Sequence, residues 1–256
     1  MEDLPDCRPP TADCRNASML LQIRGLTKSF GSLTAADGID LMVARGDAVG
    51  IIGPNGAGKT TLFNLITGND AADAGEVLLD GADITRAGAH ERCRAGIGRS
   101  YQIPRPFESL TAFENLLVAA VHGRGREAGD SVDFCAGILE ATNLMPRANA
   151  PAGSLTLLER KRLEMARALA TGPQVLLLDE IAGGLTEGEC QELVGTIRGI
   201  RAGGTTIVWI EHIVHALLAV VDRLVVLNFG RKIAEGHPPA VMASAEVREI
   251  YTGISA

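Results

Sequence analysis

The chain has 256 residues, of which 46% are hydrophobic and 21% are charged, and its formal net charge is -7. This length allows one large domain or two small ones, and the composition is ordinary for a globular protein. The acidic balance argues against sequence-independent binding of nucleic acid, which requires a basic face. No apolar run approaches the roughly 18 residues that a membrane-spanning helix requires.

Residues 1–18 predict a flexible extension before the folded part of the chain. They are acidic and contain proline, and they lack the basic start and apolar stretch of a secretory signal, so we expect a cytoplasmic protein. Cys7 and Cys14 lie in this extension, and the remaining cysteines are scattered along the chain at Cys93, Cys135 and Cys190. Free reduced thiols are favoured over a metal site, because no histidine or further cysteine pair lies near Cys7 and Cys14.

Strands open the predicted fold. The segments at 21–26 and 39–44 are predicted as strands, and the apolar segment at 47–52 is a short strand that ends in a glycine-rich loop. A helix is expected at 61–67, directly after this loop. Residues 75–85 predict a strand and a turn, because an Asp-Gly pair lies inside them.

Helices are expected in the middle of the chain. The apolar spacing predicts helices at 111–122 and 131–143, and the region around them, about 86–150, is less β-like than its flanks. We therefore expect an α-helical subdomain at roughly residues 88–162, inserted into an α/β core within residues 19–253.

Continuous apolar runs characterise the last third of the chain, at residues 175–179, 205–210 and 223–228. Such runs are typical of strands that are buried on both faces of a sheet. Helical segments at 187–201 and 213–221 separate them, which indicates βαβ units.

The segment GPNGAGKTT, residues 53–61, fits the pattern Gly-x-x-x-x-Gly-Lys-Thr between a predicted strand and a predicted helix. Glycines let the backbone N–H groups of such a loop turn towards phosphate oxygens, and the helix N-terminus adds a favourable dipole. Lys59 is expected to contact the β- and γ-phosphates, and the Thr60 hydroxyl to bind Mg²⁺. A glycine-rich turn without this function is the alternative, and the full pattern in this context argues against it. The predicted binding residues of the loop are Gly53, Pro54, Asn55, Gly56, Ala57, Gly58, Lys59, Thr60 and Thr61.

Two acidic residues end the apolar strand in the segment QVLLLDE. Ligands of open α/β sheets bind at the carboxyl ends of strands, so Asp179 is predicted to hold Mg²⁺ through water. Glu180 is predicted to polarise the attacking water as a general base. A solvated acidic turn is the alternative, and the phosphate loop upstream makes it the weaker interpretation.

Two further polar side chains are candidates for the same site. His212 follows the apolar run TTIVWI, so it would lie beside Asp179 and reach the γ-phosphate, although a histidine after a strand is often incidental. Gln102, in the segment GRSYQIPRPF, carries an amide that is suited to both Mg²⁺ and the attacking water. Trp209 is interpreted as a core residue.

Together these motifs resemble the ATPase subunits of ABC transporters over about residues 20–253. Their order is the same: a phosphate loop, Gln102 at the Q-loop position, a signature region before LLLDE, a D-loop, and an H-loop histidine. The resemblance implies an ATPase with a P-loop NTPase core, an N-terminal antiparallel β portion and an inserted α-helical subdomain. It implies that ATP and Mg²⁺ are bound, that Gln102, Glu180 and His212 take part in hydrolysis, and that Phe30 stacks on adenine. A buried aromatic at a strand end is the alternative for Phe30.

Four segments narrow the resemblance, because they are similar to the branch of the family that takes up branched-chain, or hydrophobic, amino acids. They are FESLTAFENLLVA, EIAGGLTEGE, WIEHIVHALLAVVDRLVVLNFGRKIAEG and VREIYTG. This implies a peripheral subunit at the inner face of the plasma membrane, with two transmembrane permease subunits and a second ABC ATPase subunit as partners. A periplasmic solute-binding protein would act indirectly, and nucleic acid is not an expected partner. Permease helices are expected to dock near Gln102 and the segment IPRPFESL.

Two other functions occur among such ATPases. A soluble ABC ATPase can act as a scaffold without a membrane partner, for example in iron–sulfur assembly. The importer-like C-terminal half and the lack of a cysteine cluster argue against this function. ATPases of DNA repair or translation need a long coiled-coil insertion or a tandem second ATPase domain, and this sequence contains neither.

The expected signature region departs from the family pattern. Where the family has Leu-Ser-Gly-Gly-Gln, this chain has Leu155, Thr156, Leu157, Leu158 and Glu159. In the family, this stretch contacts the γ-phosphate held by the opposing subunit, and the hydroxyl of Thr156 is kept for such a contact. Thr156 and Glu159 form a capping box, which predicts the start of a helix.

The content of this region predicts a weakened contact with the opposing nucleotide. Leucines restrict how closely the backbone approaches a ligand, because glycine is what permits close contact. Glu159 is unfavourable beside an anion unless Arg160 or Lys161 offsets its charge. We therefore expect a partner ATPase that differs from this chain, although a homodimer stays open. A capped surface helix without a phosphate role is the alternative.

The D-loop is also altered. Thr186 stands at the last position of Gly184-Leu185-Thr186, where the family usually has Asp or Asn. Thr186 and Glu189 form a second capping box, so the start of a helix is expected here as well.

Overall fold

The structure is a computed structural model that describes residues 19–123 and 127–252. The predicted flexible extension and its two cysteines lie outside the described residues. The strands are β1 (Met19–Phe30), β2 (Leu33–Ala44), β3 (Ala48–Ile52), β4 (Ala74–Leu79), β5 (Ala82–Asp83), β6 (Ile97–Arg99), β7 (Val175–Asp179), β8 (Thr206–Ile210), β9 (Arg223–Asn228) and β10 (Arg231–Gly236). The α-helices are α1 (Lys59–Thr67), α2 (Ala89–Ala95), α3 (Ala112–Gly123), α4 (Ala128–Ala141), α5 (Leu157–Ala170), α6 (Glu187–Ala202), α7 (Val214–Leu218), α8 (Pro238–Ala243) and α9 (Ala245–Thr252).

Two sheets form the framework. An antiparallel sheet near the N-terminus has the order β2-β1-β4-β5. The second sheet has the order β10-β9-β3-β8-β7-β6 and is parallel except for β10, which pairs antiparallel with β9. This is the mixed α/β architecture with an N-terminal antiparallel portion that the sequence predicts.

The parallel sheet is buried on both faces, which explains its continuous apolar strands. Successive side chains of a strand point to opposite faces. In β7, Val175 and Leu177 belong to the core shared with the antiparallel sheet and α1, whereas Leu176 and Leu178 belong to the core shared with α5, α6 and α7. Trp209 is fully buried in this second core, which confirms its interpretation as a core residue.

A third core cluster lies among α3, α4 and α5. Leu116, Leu139 and Leu163 are fully buried in it. Helix α5 contributes to two cores, because Met165 packs in the cluster on the parallel sheet and Leu163 in the helical cluster. The helix also runs without interruption across residue 162, the expected limit of the helical subdomain. Helix α5 therefore connects the helical region to the sheet.

Several local boundaries differ from the expectation. The predicted strand and turn at 75–85 divides into β4 and β5 around Asp80 and Gly81, which have φ values of 51 and 79 and confirm the turn. Strands β6 and β10 were not expected, since β6 has three residues and β10 is an edge strand with partly exposed side chains. Over residues 19–123 and 127–252, every helix is too short or too polar to span a bilayer.

Candidate active site

The candidate residues converge on one edge of the parallel sheet. Strands β3, β6, β7 and β8 run parallel, so their carboxyl ends lie at the same edge. The phosphate loop follows β3, Gln102 follows β6, Glu180 follows β7, and His212 follows β8. Chain connections thus bring together residues that are far apart in sequence, as expected for ligand sites of open α/β sheets.

The phosphate loop requires glycine at two of its positions. Gly53 and Gly58 have φ values of 157 and 96. A Cβ atom at Gly53 would lie 2.2 Å from the Leu227 carbonyl oxygen, and one at Gly58 would lie 2.2 Å from that of Ala35. The loop is therefore enclosed by β9 and β2, and no larger residue fits at these points without a backbone shift.

The side chain of Lys59 is hydrogen-bonded to the backbone of the phosphate loop. Its Nζ donates to the carbonyl oxygens of Gly53 at 2.8 Å and Pro54 at 3.0 Å. Burial lowers the pKa of Lys59, and the carboxylates of Glu180 and Asp179 oppose this shift. The ammonium thus lies close to both predicted acidic residues and is positioned for an anionic ligand.

A cavity of about 290 Å³ lies over the loop. Residues 55–61 line it together with Phe30, Leu33, Ala35 and Glu180. Phe30 is 49% exposed, so the alternative of a buried strand-end aromatic is wrong. The exposed ring stands at the rim of the cavity, where a planar group can stack on it.

Glu180 links Gln102 and His212. The Gln102 amide nitrogen donates to Glu180 Oε2 at 2.6 Å, and His212 Nε2 lies 2.8 Å from Glu180 Oε1. Glu180 has a positive φ of 46, and its N–H donates to the Ile210 carbonyl oxygen at 2.9 Å. The backbone conformation that orients this carboxylate is therefore fixed by β8. All three predicted catalytic residues thus meet at one carboxylate.

Asp179 forms a buried ion pair that sequence reasoning missed. Arg99 Nη2 lies 2.6 Å from Asp179 Oδ2, and each side chain is only 6% exposed. Arg99 also donates to Asn64 Oδ1 at 2.7 Å. Burial raises the pKa of Asp179, and Arg99 opposes this shift. Arg99 ends a strand of only three residues, and no local pattern signals such a partner.

The predicted Mg²⁺ ligands fit that ion chemically. Thr60, Gln102 and Asp179 line one cavity of about 510 Å³. A hydroxyl, an amide and a carboxylate offer the hard oxygen atoms that Mg²⁺ prefers. The three side chains therefore offer suitable Mg²⁺ ligands within one cavity.

Glu211 is a second residue that sequence reasoning did not assign. Its buried carboxylate accepts from the backbone N–H groups of Ala182 at 2.7 Å, His212 at 2.9 Å and Ile213 at 3.3 Å. Burial raises the pKa of Glu211, and these hydrogen bonds oppose the rise. Glu211 thus joins the segment after Glu180 to the segment that carries His212. The acid before histidine in WIEH was the available signal.

The start of α5 confirms the first capping box and shows which cation pairs with Glu159. Thr156 Oγ1 accepts from Glu159 N at 3.4 Å, and Glu159 Oε2 accepts from Thr156 N at 2.9 Å. Arg147 pairs with Glu159 Oε1 at 2.7 Å, whereas Arg160 and Lys161 donate to backbone carbonyls instead. Neither Arg160 nor Lys161 therefore offsets the charge of Glu159, because both point into the protein.

The signature segment lies apart from the other candidates within this chain. Thr156 lines neither of the two cavities that hold the predicted phosphate and metal ligands. Leu157 is 44% exposed, whereas Leu158 packs in the core. The second capping box is also present, since Thr186 accepts from Glu189 N and Glu189 accepts from Thr186 N.

Comparisons with known proteins agree with this geometry. A family profile described as ABC transporter matches residues 36–183. The chain is 36% identical to the high-affinity branched-chain amino acid transport ATP-binding protein BraF of Pseudomonas aeruginosa, over 91% of this chain and 98% of that protein. It is 34% identical to LivG of Escherichia coli, which carries the same description, over 91% and 98% of the two chains.

Solved structures give the same result. A structure of an ATP-binding cassette of an ABC transporter in its ADP conformation matches with a TM-score of 0.85 and 33% identity, over 92% of this chain and 99% of that one. The fold and site define a nucleotide-binding protein with a phosphate loop. The chain belongs to the ABC transporter family, as one of its ATP-binding, ATP-hydrolysing subunits.

Proposed function

We propose that this ATPase powers an importer for branched-chain or hydrophobic amino acids or related small solutes. The observation that carries the proposal is the meeting of Gln102, Glu180 and His212 beside the phosphate loop, in a chain similar to BraF and LivG over most of its length. The importer function rests on the descriptions of those relatives, and the hydrolytic function on the site itself.

The site residues divide the work of hydrolysis. The backbone of the phosphate loop and Lys59 bind the phosphates, and Phe30 stacks on the adenine. Thr60, Asp179 and Gln102 would hold Mg²⁺, which would neutralise phosphate charge there. Glu180 accepts a proton from the attacking water, and the contacts from Gln102 and His212 orient its carboxylate.

A groove with exposed apolar and basic side chains supports docking of the permease. Tyr101, Ile103 and Phe107 are exposed. Tyr101 and Ile103 line the cavity of about 510 Å³ that also contains the predicted Mg²⁺ ligands, and Arg105 and Arg167 line it too. Arg167 also lies over the Phe107 ring, 5.4 Å from its centroid. An amphipathic segment with acidic residues would complement this surface. The chain would then be a peripheral subunit on the cytoplasmic side of the membrane.

Replacement of Phe107 tests the docking site. The backbone N–H of Phe107 donates to Asn115 Oδ1 at 2.9 Å, and Asn115 donates to the Phe107 carbonyl oxygen at 3.1 Å, so the side chain can change without loss of these bonds. Phe107→Asp should reduce recovery of membrane subunits with the chain and leave ATP affinity unchanged. Val132→Asp, on an exposed apolar position of α4, is the matched control. Wild-type recovery with Phe107→Asp would contradict docking at this groove.

The expected assembly is tested by purification of the tagged chain from detergent-solubilised native membranes. Two polytopic membrane proteins and a second ATPase with a glycine-containing signature should be recovered with it. Loss of hydrophobic amino acid uptake after deletion of the chain would then identify the solute class. Recovery from the soluble fraction without membrane proteins would instead favour the scaffold function.

A further inference from the structure

Helix α5 holds the segment 101–105 through three charged side chains. Lys161, Glu164 and Arg167 follow one another at intervals of three residues, so they share one face of the helix. This face is turned towards the segment that contains Gln102. We call the three residues and their contacts the α5 clamp.

Each member of the α5 clamp lies close to the backbone of the segment. Lys161 Nζ donates to the Gln102 carbonyl oxygen at 2.6 Å, and Arg167 Nη1 donates to the Arg105 carbonyl oxygen at 2.9 Å. Burial raises the pKa of Glu164, and the nearby backbone N–H groups of Tyr101 and Arg105 oppose this rise. Arg167 also pairs with Glu164 at 3.0 Å. The segment is therefore held at both ends by one helix.

Burial of the charged side chains of the α5 clamp costs free energy of hydration. Lys161 and Glu164 are 4% and 5% exposed, and a buried charge loses most of its hydration. Apolar residues would fill the same space without that cost. Hydrogen bonds to charged groups are stronger and more directional than apolar contacts. The α5 clamp therefore fixes the position of the backbone of segment 101–105.

The clamped backbone carries the side chain that reaches Glu180. The Gln102 amide donates to Glu180 Oε2 at 2.6 Å, while the Gln102 carbonyl oxygen accepts from Lys161. Helix α5 begins at Leu157, directly after Thr156 of the signature segment. A continuous path of contacts thus joins the start of α5 to the candidate general base.

We propose that Lys161 is a positioning residue for hydrolysis: its hydrogen bond to the Gln102 carbonyl oxygen sets where the Gln102 amide meets Glu180. This inference rests on the proposed roles of Gln102 and Glu180 in hydrolysis. Lys161 itself touches no expected reacting atom.

The test compares Lys161→Met with Lys161→Arg and Arg162→Met in the full chain. Arg162 is the matched control, because it is a buried cation on the same helix that pairs with Glu192 of α6 at 3.0 Å. Hydrogen exchange of the amides in segment 101–105 is measured without nucleotide. ATP affinity and the kcat of ATP hydrolysis are measured on the complex in which the chain is isolated.

Lys161→Met should raise exchange in segment 101–105 by about tenfold, the effect of one lost hydrogen bond to a charged group. It should lower kcat by a similar factor and leave ATP affinity unchanged, and Lys161→Arg should restore part of both effects. Arg162→Met should lower thermal stability without these changes. If Lys161→Met folds poorly, Arg167→Met should raise exchange at the Arg105 end of the segment alone.

Wild-type exchange and kcat in Lys161→Met would overturn the proposal, as would equal effects of Arg162→Met. A change in exchange without a change in kcat would leave the clamp as a structural contact and also overturn the positioning role. Absence of hydrolysis in the wild-type complex would instead count against the proposed function, and the exchange data would be unaffected. The two failures are thus distinguishable.

Discussion

Two helix N-termini of this protein are expected to face phosphate, and they are built in opposite ways. Helix α1 follows Gly58, which has a left-handed conformation and gives no side-chain cap, and its first turn contains no acidic residue. Helix α5 follows Thr156, whose hydroxyl and the Glu159 carboxylate close a capping box. The first four N–H groups of a helix lack intrahelical partners. At α1 they are left for a ligand, whereas at α5 side chains already occupy part of them.

The N-terminus of α1 is thus open to an anion, whereas side chains already cap the N-terminus of α5. A capping box stabilises a helix by satisfying the donors that an anion would otherwise use. At α5, Glu159 also places a carboxylate where a phosphate of the opposing subunit is expected, although Arg147 pairs with it. Substitutions that block the N-terminus of α1 should therefore weaken its binding of phosphate, and substitutions that remove side chains from the N-terminus of α5 should strengthen the binding there.

The largest effect is expected from Gly58→Ala at the start of α1. The new Cβ would lie 2.2 Å from the Ala35 carbonyl oxygen, and the residue would keep a φ of 96. Overpacking and left-handed strain together should lower the free energy of unfolding by about 3 kcal/mol. ATP affinity should fall by at least about 100-fold, because the N–H groups at the helix start are displaced from the phosphates. Isothermal titration and thermal denaturation measure both quantities.

Gly46→Ala is the matched control for this substitution. Gly46 has a similar φ of 79, but a Cβ there meets no atom within 4 Å. The control should lose a little stability and keep its ATP affinity. Equal loss of affinity in both variants would show that strain alone, and not the closed space at α1, explains the result.

Lys59→Met should lower ATP affinity by less than Gly58→Ala does, and with little loss of stability. Loss of a charged donor to phosphate should weaken ATP binding by about 10- to 100-fold. Burial lowers the pKa of Lys59, so its removal relieves a desolvation cost, and the melting temperature without nucleotide should change little. A saturating ligand stabilises the folded state by an amount set by its affinity. Thermal denaturation with and without ATP should therefore show stabilisation in the wild type and much less in the variant.

A matched lysine controls for the loss of charge. Lys232 pairs with Glu235 within β10, away from the phosphate loop. Lys232→Met should keep the full stabilisation by ATP. Full stabilisation in Lys59→Met as well would contradict the predicted role of Lys59.

Substitutions at the start of α5 test the expected weakened contact with the nucleotide of the opposing subunit. Leu157→Gly combined with Glu159→Gln removes an exposed side chain and a negative charge, and it leaves the buried Leu158 in place. One charge at a helix N-terminus is worth about 0.3–1 kcal/mol, so hydrolysis by the assembled complex should rise by about two- to fivefold. The measurement is steady-state ATP hydrolysis of the purified complex. Unchanged hydrolysis would indicate that Leu157 and Glu159 do not limit this site.

The same comparison shows which features a single sequence can reveal. The phosphate loop, the acidic pair after β7 and both capping boxes depend on short local patterns, and each was predictable. The position of His212 beside the acidic pair followed from the rule that parallel strands present their carboxyl ends at one edge, whereas Gln102 was assigned from the resemblance to the family.

Partners across large sequence distances were not predictable. Arg99 pairs with Asp179 and Arg147 with Glu159, and these contacts exist only after the chain has folded. Lys161 is buried against Gln102, because its face of α5 packs on segment 101–105. A charged residue on an amphipathic helix gives no local sign that its partner is a backbone carbonyl.

The smallest effect is expected from removal of the α5 cap itself. Loss of an N-cap hydroxyl costs about 1 kcal/mol, so Thr156→Ala should lower the melting temperature by about 2–4 °C in a domain of this size. Thr111→Ala is the matched control, because Thr111 and Glu114 form the same reciprocal hydrogen bonds at the start of α3. Only Thr156→Ala should also lower ATP hydrolysis by the complex, since its hydroxyl is the part of the signature that this chain retains. Equal hydrolysis in the two variants would favour a capped surface helix, and α5 would then contribute to the site through Lys161 alone.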